Sequence, residues 1–243
     1  MNDACLRYVE LRRDKVADWD AYPFNIPAVA QLERLEFHPG VTFLIGENGC
    51  GKSTLIEAIA VAAGLNAEGG TKNYRAANRP TESDLIKAIR LVRGIRREKT
   101  AFFLRAETMF NVATEAEELR ALGGARLHEM SHGESFLWLA LNEFQSNGLY
   151  ILDEPEAALS PQRQLSFLVR MHQLVRARSQ FVIATHSPIL MAYPEARIIQ
   201  LDGDGFKEMP FEETEHYTVT RSFLENPKRM FEQLLDGELS DRD

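Results

Sequence analysis

Two periods alternate along the chain. Short apolar runs that stop abruptly at polar residues, "VTFLI" (Val41–Ile45), "LYILDEP" (Leu149–Pro155) and "FVIATHSP" (Phe181–Pro188), read as buried strands. "CLRYVELRR" and "QLERLEFHPGVTFLI" also read as strands, joined by the proline-containing loop "DWDAYPFNIPAV". "TAFFLRA" is strand-like, and "RIIQLDGDGFKEM" reads as a late hairpin turning at Asp-Gly. Helical spacing occupies the intervals. The stretch "LIEAIAVAAG" predicts a helix ending near Gly64. "SDLIKAIRLVRG" predicts a short helix capped by Ser83, and "AEELRALGG" a helix closed by two glycines. In "MSHGESFLWLALNEFQ" the apolar face is Phe136, Leu137, Ala140, Leu141 and Phe144. In "SPQRQLSFLVRMHQLVRARS" Ser160 caps, Pro161 takes the first turn, and Leu165, Leu168, Met171 and Val175 share a face. "NAEGGTKNYRAANRPT" is polar and Gly-rich and reads as a surface loop. Strands alternating with helices predict an α/β fold with a mostly parallel sheet covered on both faces.

Composition narrows the class. A chain of 243 residues with 44% hydrophobic content suits one large domain or two small ones. No apolar run reaches the length of a membrane span, so no direct membrane insertion is expected. The segment "MNDACLRYVELRRDK" lacks the apolar core of a signal peptide. Two cysteines, Cys5 and Cys50, make no disulfide framework, and the cytoplasm is the expected compartment. The net charge of −8 argues against a generic polyanion binder. The charge is uneven, however. Residues 72–105 hold ten basic residues against Glu82, Asp84 and Glu98. That segment could meet nucleic acid phosphates, form a solvated face, or dock an acidic partner.

Three polar clusters follow the apolar runs. In "GENGCGKST" the residues Gly46, Glu47, Asn48, Gly49, Cys50, Gly51, Lys52, Ser53 and Thr54 fit the phosphate-loop spacing G-x-x-x-x-G-K-[ST]. Glycines let backbone N–H groups turn toward a polyphosphate, and the next helix aims its positive end at the same anion. Lys52 is expected at the β- and γ-phosphates of ATP and Ser53 on Mg2+. "LYILDEP" ends a buried strand in Asp153 and Glu154. Asp153 is placed to hold Mg2+ through water, and Glu154 to deprotonate the attacking water. "FVIATHSP" ends in His186, positioned to meet the γ-phosphate and that water. A fourth cluster, Ser131 to Glu134, opens an amphipathic helix and forms a second anion site.

Phosphate loop, Ser-x-Gly-Glu turn, Asp-Glu strand and strand-end histidine, in this order, resemble the ATP-binding-cassette (ABC) ATPases, a class of P-loop NTPase. The resemblance spans Gly46 to Ser187. It implies one ABC-type ATPase domain over 1–243, with an N-terminal antiparallel β portion and a short helical subdomain near 80–148. It also implies a homodimer sandwiching two ATP molecules head to tail. Ser131, His132, Gly133 and Glu134 would then face the phosphates of the other copy, and Ala157 to Ser160 would couple the two sites. Transporter cassettes usually carry Leu-Ser-Gly-Gly-Gln where this chain has Met-Ser-His-Gly-Glu. "DEPEAALSP" and "THSP" are more similar to the chromosome-maintenance and RecF-like branch, including standalone ATPases. The long coiled-coil insertion of that branch is missing, since 76 residues separate Thr54 from Ser131. Where the family often places a magnesium-contacting Gln, Glu107 stands nearby and is the candidate metal contact. Tyr22 and Phe24 are candidates for stacking on adenine, or else core residues.

The expected function is an ATP-hydrolysing switch or motor working on nucleic acid or a partner protein, in DNA repair or genome defence. The alternatives are the nucleotide-binding subunit of a membrane transporter, and a slow ATP-dependent clamp for an effector or toxin protein.

Overall fold

The computed structural model describes residues 4–67, 69–71, 83–105 and 131–240. One seven-stranded sheet carries the candidate site. Its parallel core runs, side by side, β9 (Arg197–Asp202), β3 (Val41–Ile45), β8 (Gln180–Ala184), β7 (Gly148–Asp153) and β6 (Thr100–Arg105). Antiparallel edges close it: β10 (Gly205–Glu208) beside β9, and β4 (Gly70–Thr71) beside β6. β3, β7 and β8 are buried along their whole length, as unbroken apolar runs require when both faces of a parallel sheet are covered.

Register aligns the strand ends. Leu44 and Asp153 both lie opposite Ala184. The three polar clusters that follow β3, β7 and β8 therefore emerge at one level of the sheet, where ligands collect in open α/β folds.

One core lies beneath α2 (Lys52–Ala62), where Leu55, Ile56 and Ile59 pack against Leu44, Ile151 and Val182. The other lies beneath α4 (His132–Asn142) and α5 (Pro161–Arg176), where Phe136, Phe144 and Phe167 meet Tyr150 and Phe181. A second, three-stranded antiparallel sheet runs β2 (Arg34–Glu36), β1 (Leu6–Leu11), β5 (Ile89–Arg93). Gln180, fully buried, ties the sheets together: its side chain bonds both the amide and the carbonyl of Leu6, at 2.8 and 2.9 Å. Short helices α1 (Pro27–Ala30), α3 (Leu85–Ala88) and α6 (Pro188–Met191) fill connections, and α7 (Glu215–Glu225) and α8 (Pro227–Ser240) follow the hairpin. Among the described residues no helix is long and apolar enough to cross a membrane.

Several local expectations are corrected. "SDLIKAIRLVRG" is helical only over Leu85–Ala88; Ile89–Arg93 pairs with β1 as a strand, with Leu91 opposite Val9. Pairing across to β1, with Ile89 buried, overrides the helical spacing of the segment. Ser83 still accepts from the amide of Leu85, but the cap position is Asp84. "QLERLEFHPGVTFLI" is two strands in different sheets, broken at Pro39-Gly40. "DWDAYPFNIPAV" contains the start of α1. The buried face of α5 is Gln164, Phe167, Met171 and Leu174; Leu165 is half exposed. Leu141 of α4 likewise faces outward, while Leu139 is buried. Ser160 occupies the cap position of α5 without a side-chain cap bond. The helix expected in "AEELRALGG", Glu107, Lys72, Arg75 and Arg79 lie outside the described residues.

Candidate nucleotide site

The loop after β3 turns through Gly46, Gly49 and Gly51, all at positive φ. At Gly46 (φ 144°) a Cβ would lie 2.2 Å from the carbonyl oxygen of Leu201, so only glycine fits. Gly51 (φ 101°) passes the chain into α2, and its missing side chain leaves room for Ile26. Lys52, 4% exposed, folds over the loop and donates to the carbonyls of Gly46 and Glu47, both at 2.8 Å. Its ammonium is thus held inside the ring of backbone that the loop forms.

Ser53 on the first turn of α2 donates to Oδ1 of Asp153 at 3.2 Å. Asp153 is 6% exposed at the end of β7. A hydroxyl and a carboxylate oxygen converging beside a phosphate loop are the hard oxygen donors that Mg2+ takes, with water completing its shell. The sequence leaves only a bound cation to offset the acids here, but the fold adds a fixed one. Arg105, at the end of β6 and in register with Asp153, lies 3.4 Å from Oδ2 of Asp153 and 2.8 Å from Glu57 on α2.

Glu154 follows in the left-handed region, at φ 50° and ψ 52°, held there by its amide donating to Ala184 at 2.9 Å. A non-glycine residue in that region is costly and clusters at functional sites. Its Oε1 lies 3.8 Å from Nε2 of His186. The amide of His186 donates to Oε1 of Glu156 at 2.5 Å, so the strand end after β8 and the turn after β7 are locked together. Nδ1 of His186 lies 3.2 Å from Nε2 of His216 on α7. Burial, and then the neighbouring His186, hold His216 below the ordinary imidazole pKa.

Two cavities flank the loop. The smaller, about 200 Å3, is bounded by Tyr22, Lys52, Ser53, Thr54 and Glu154. The larger, about 730 Å3, lies between the loop, the β9–β10 hairpin and α7, and is bounded by His186 and His216. Asn48 and Gly49 line both. Glu154 lines the smaller space and His186 the larger, and their side chains approach to 3.8 Å. Of the two, the smaller cavity is the one lined by both Ser53 and Glu154.

The aromatic candidates separate. Phe24 is buried in the core beneath α2, edge-on to Trp19 at 6.3 Å. Tyr22 is 65% exposed, and its hydroxyl is 2.9 Å from that of Thr54.

The Ser131–Glu134 turn begins α4 as a capping box. The hydroxyl of Ser131 accepts from the amide of Glu134 at 3.4 Å, and the amide of Ser131 donates to Oε2 of Glu134 at 2.9 Å. Arg163 on α5 holds Glu134 at 3.0 Å and the Ser131 hydroxyl at 3.2 Å. These bonds keep the Glu134 carboxyl below its usual pKa, the amide bond from Ser131 most of all. A Cβ on Gly133 would lie 2.6 Å from the carbonyl of Ala158. The glycine thus lets the turn press against the segment after Glu154. The side chain of His132 lies outside the described residues.

With this geometry the comparisons agree. Residues 24–111 match a family model described as an AAA domain, and residues 119–192 match another described as "AAA domain, putative AbiEii toxin, Type IV TA system". The chain is similar to a solved structure of "a putative metal-chelate type ABC transporter" in an inward-facing conformation, at 18% identity and TM-score 0.50, covering 90% of this chain and 88% of that one. The chain has the fold of the ABC-type P-loop ATPases. Two further structures similar to it are the SMC head domain from Thermotoga maritima (13% identity, TM-score 0.46, 85% of this chain and 98% of that one) and cbiO1 from Clostridium perfringens, part of the transporter complex cbiONQ (15%, 0.47, 84% and 91%). No curated protein matches the chain.

Within this ABC-type fold, sequence reasoning missed Arg105, Arg163 and His216. Arg105 stood in the basic segment with nothing to mark its partner. Arg163 sits two residues after a helix-starting proline, and no local pattern ties it to Ser131. His216 follows Thr214, which caps α7 by accepting from the amide of Tyr217 at 3.2 Å. That cap was the signal for the helix, though not for the histidine's partner.

Proposed function

We propose that the chain binds ATP with Mg2+ at the 46–54 loop, hydrolyses it, and uses the bound and spent states to close and open a homodimer. The whole chain works as one ATPase domain. One observation carries the reading: Ser53, Asp153, Glu154 and His186, from three separate strand ends, converge on the loop that holds Lys52. Loop amides and Lys52 bind the phosphates. Ser53 and Asp153 hold Mg2+, which when bound neutralises phosphate charge. Glu154, lining the smaller cavity, takes the proton of the attacking water, and His186 orients that water and the terminal phosphate. Tyr22, next to Thr54, borders the adenine side.

In this reading Ser131 and the start of α4 receive the phosphate of the other copy. Arg163 offsets the carboxylate of Glu134, which would otherwise repel that phosphate. The Gly133–Ala158 contact then links an occupied turn to the segment beside Glu154 of its own subunit.

The work is done on a partner protein. The basic segment supports this over nucleic acid, because most of its described charges are engaged within the fold. Arg93 pairs with Glu98 at 2.9 Å, Arg90 with Glu10 at 2.7 Å, Lys87 with Asp84 at 2.7 Å and Arg105 with Glu57 at 2.8 Å. Arg96 bonds Asn147 at 3.0 Å and the carbonyl of Arg178.

The test is phosphate release. The Glu154→Gln variant keeps shape and hydrogen bonding but loses the basic carboxylate. Its turnover falls by about 100- to 10,000-fold, the usual worth of a general base, while ATP affinity by calorimetry is retained. Wild-type release rates from this variant would remove Glu154 from the role.

A further inference from the structure

His216 lies beyond both segments that match the AAA-domain models. Its Nε2 is 3.2 Å from Nδ1 of His186, with ring centroids 5.4 Å apart. Two neutral imidazoles at this distance share one proton: one nitrogen donates and the other accepts. Nδ1 of His216 and Nε2 of His186, the far nitrogens, are both buried without a hydrogen-bond partner, and the charge beside that of His186 decides which. Nε2 of His186 is buried without a hydrogen-bond partner, and Oε1 of Glu154 stands 3.8 Å away. A proton on that nitrogen is attracted by the carboxylate, whereas a lone pair there is repelled by it. The proton of His186 therefore belongs on Nε2. Its Nδ1 is then a bare acceptor, and Nε2 of His216 must be the donor.

We propose that His216 is a positioning residue: from α7 it donates to Nδ1 of His186, fixes that imidazole in its Nε2–H form and aims the proton at the carboxylate of Glu154. The proposal rests on the reading of His186 as the imidazole that meets the terminal phosphate. A histidine's working nitrogen is generally set by the bond its other nitrogen makes.

The surroundings are built to hold this pair. The backbone of His186 is fixed by Glu156, so only the ring remains to be oriented, and His216 orients it. Thr214, fully buried, anchors the first turn of α7, where His216 sits. Phe211 packs on Tyr217 with centroids 4.7 Å apart, one residue further on. The charged groups around the pair are Glu154 and Glu156 on the β7 side, Glu215 on α7 itself and Lys52 on α2. Neutral His216 suits a donor that must not add a second positive charge beside Lys52. The consequence is that any event lifting the start of α7 also frees His186.

The full chain is tested by long-range 1H–15N spectroscopy of its six histidines, with His186 and His216 assigned by single substitutions. The wild type shows His186 protonated at Nε2 with a bare Nδ1, and His216→Ala converts His186 to a tautomer mixture. In ATP turnover His216→Ala loses about 10- to 100-fold in kcat with little change in KM, a loss like that on removing the hydrogen-bond partner of a metal-bound histidine. His216→Gln, which still offers an N–H donor, recovers most of that loss. A wild-type His186 protonated at Nδ1 overturns the proposal without any variant, as does full kcat in His216→Ala when His186→Ala is inactive. Full kcat in His186→Ala discards instead the reading of His186 on which the proposal rests.

Discussion

The hydroxyl of Ser53 donates to Oδ1 of Asp153 at 3.2 Å, joining the phosphate loop to the end of a strand 100 residues later in the chain. The contact needs the register that sets Asp153 and Leu44 opposite the same Ala184. It brings together two oxygen donors that neither segment supplies alone.

If these oxygens serve Mg2+, removing one must weaken metal-dependent binding selectively. Asp153→Asn lowers ATP affinity in magnesium by about tenfold, or roughly 1.4 kcal/mol, and leaves the affinity in EDTA unchanged. Titration calorimetry under both conditions reads this directly. Equal losses with and without magnesium would mean that Asp153 serves the fold through Arg105 rather than the metal.

The docking of α7 is sensitive to acid, and the sign follows from burial. His216 is held below the ordinary imidazole value of about 6.5, first by burial and then by His186, with Lys52 adding and Glu215 opposing. Above that value neither state carries the proton. As pH falls below it, the undocked helix takes up a proton that the docked one refuses, so docking weakens. Hydrogen exchange at Thr218–Phe223, corrected for intrinsic rates, quickens between pH 7.5 and 5.5, and His216→Gln flattens the change. Identical acid responses in wild type and variant would assign the effect to another group, such as His38, which is also depressed, chiefly by burial.

The candidate site was legible in the sequence where its residues are neighbours in the chain. Glycine spacing, Lys52-Ser53 and acids ending an apolar run all state their geometry within a few residues. What was not legible depends on pairing across the chain. Ile89–Arg93 carries a spacing open to helix or strand, and only β1 decides it. The face of α5 was off by a residue and that of α4 wrongly took in Leu141, because Leu165 and Leu141 are apolar yet turned to solvent. The partners of Arg105, Arg163 and His216 come from other elements of the fold, 29 to 48 residues away.

The engaged arginines set an expectation for nucleic acid. Binding of single- or double-stranded DNA or RNA stays undetectable in fluorescence anisotropy at low salt with ATP present, and charge reversal at the exposed Arg97 and Lys99 changes nothing. Binding that falls steeply with salt, as counterion release requires, and weakens in the Arg97→Glu, Lys99→Glu variant would replace the partner protein with nucleic acid.

In the proposed cycle ATP closes two copies through the Ser131 turn, with two-fold symmetry making the contact reciprocal. Light scattering of the Glu154→Gln variant with ATP and magnesium measures it most directly. The expected masses are twice the 27.6 kDa of one chain with ATP, and one chain or a weaker association without nucleotide, with no ATP-driven dimer once Ser131→Arg is added, although the monomer still binds ATP. A Ser131→Arg, Glu154→Gln protein that still doubles in mass with ATP would rule out closure through the Ser131 turn and leave that turn as a helix cap alone.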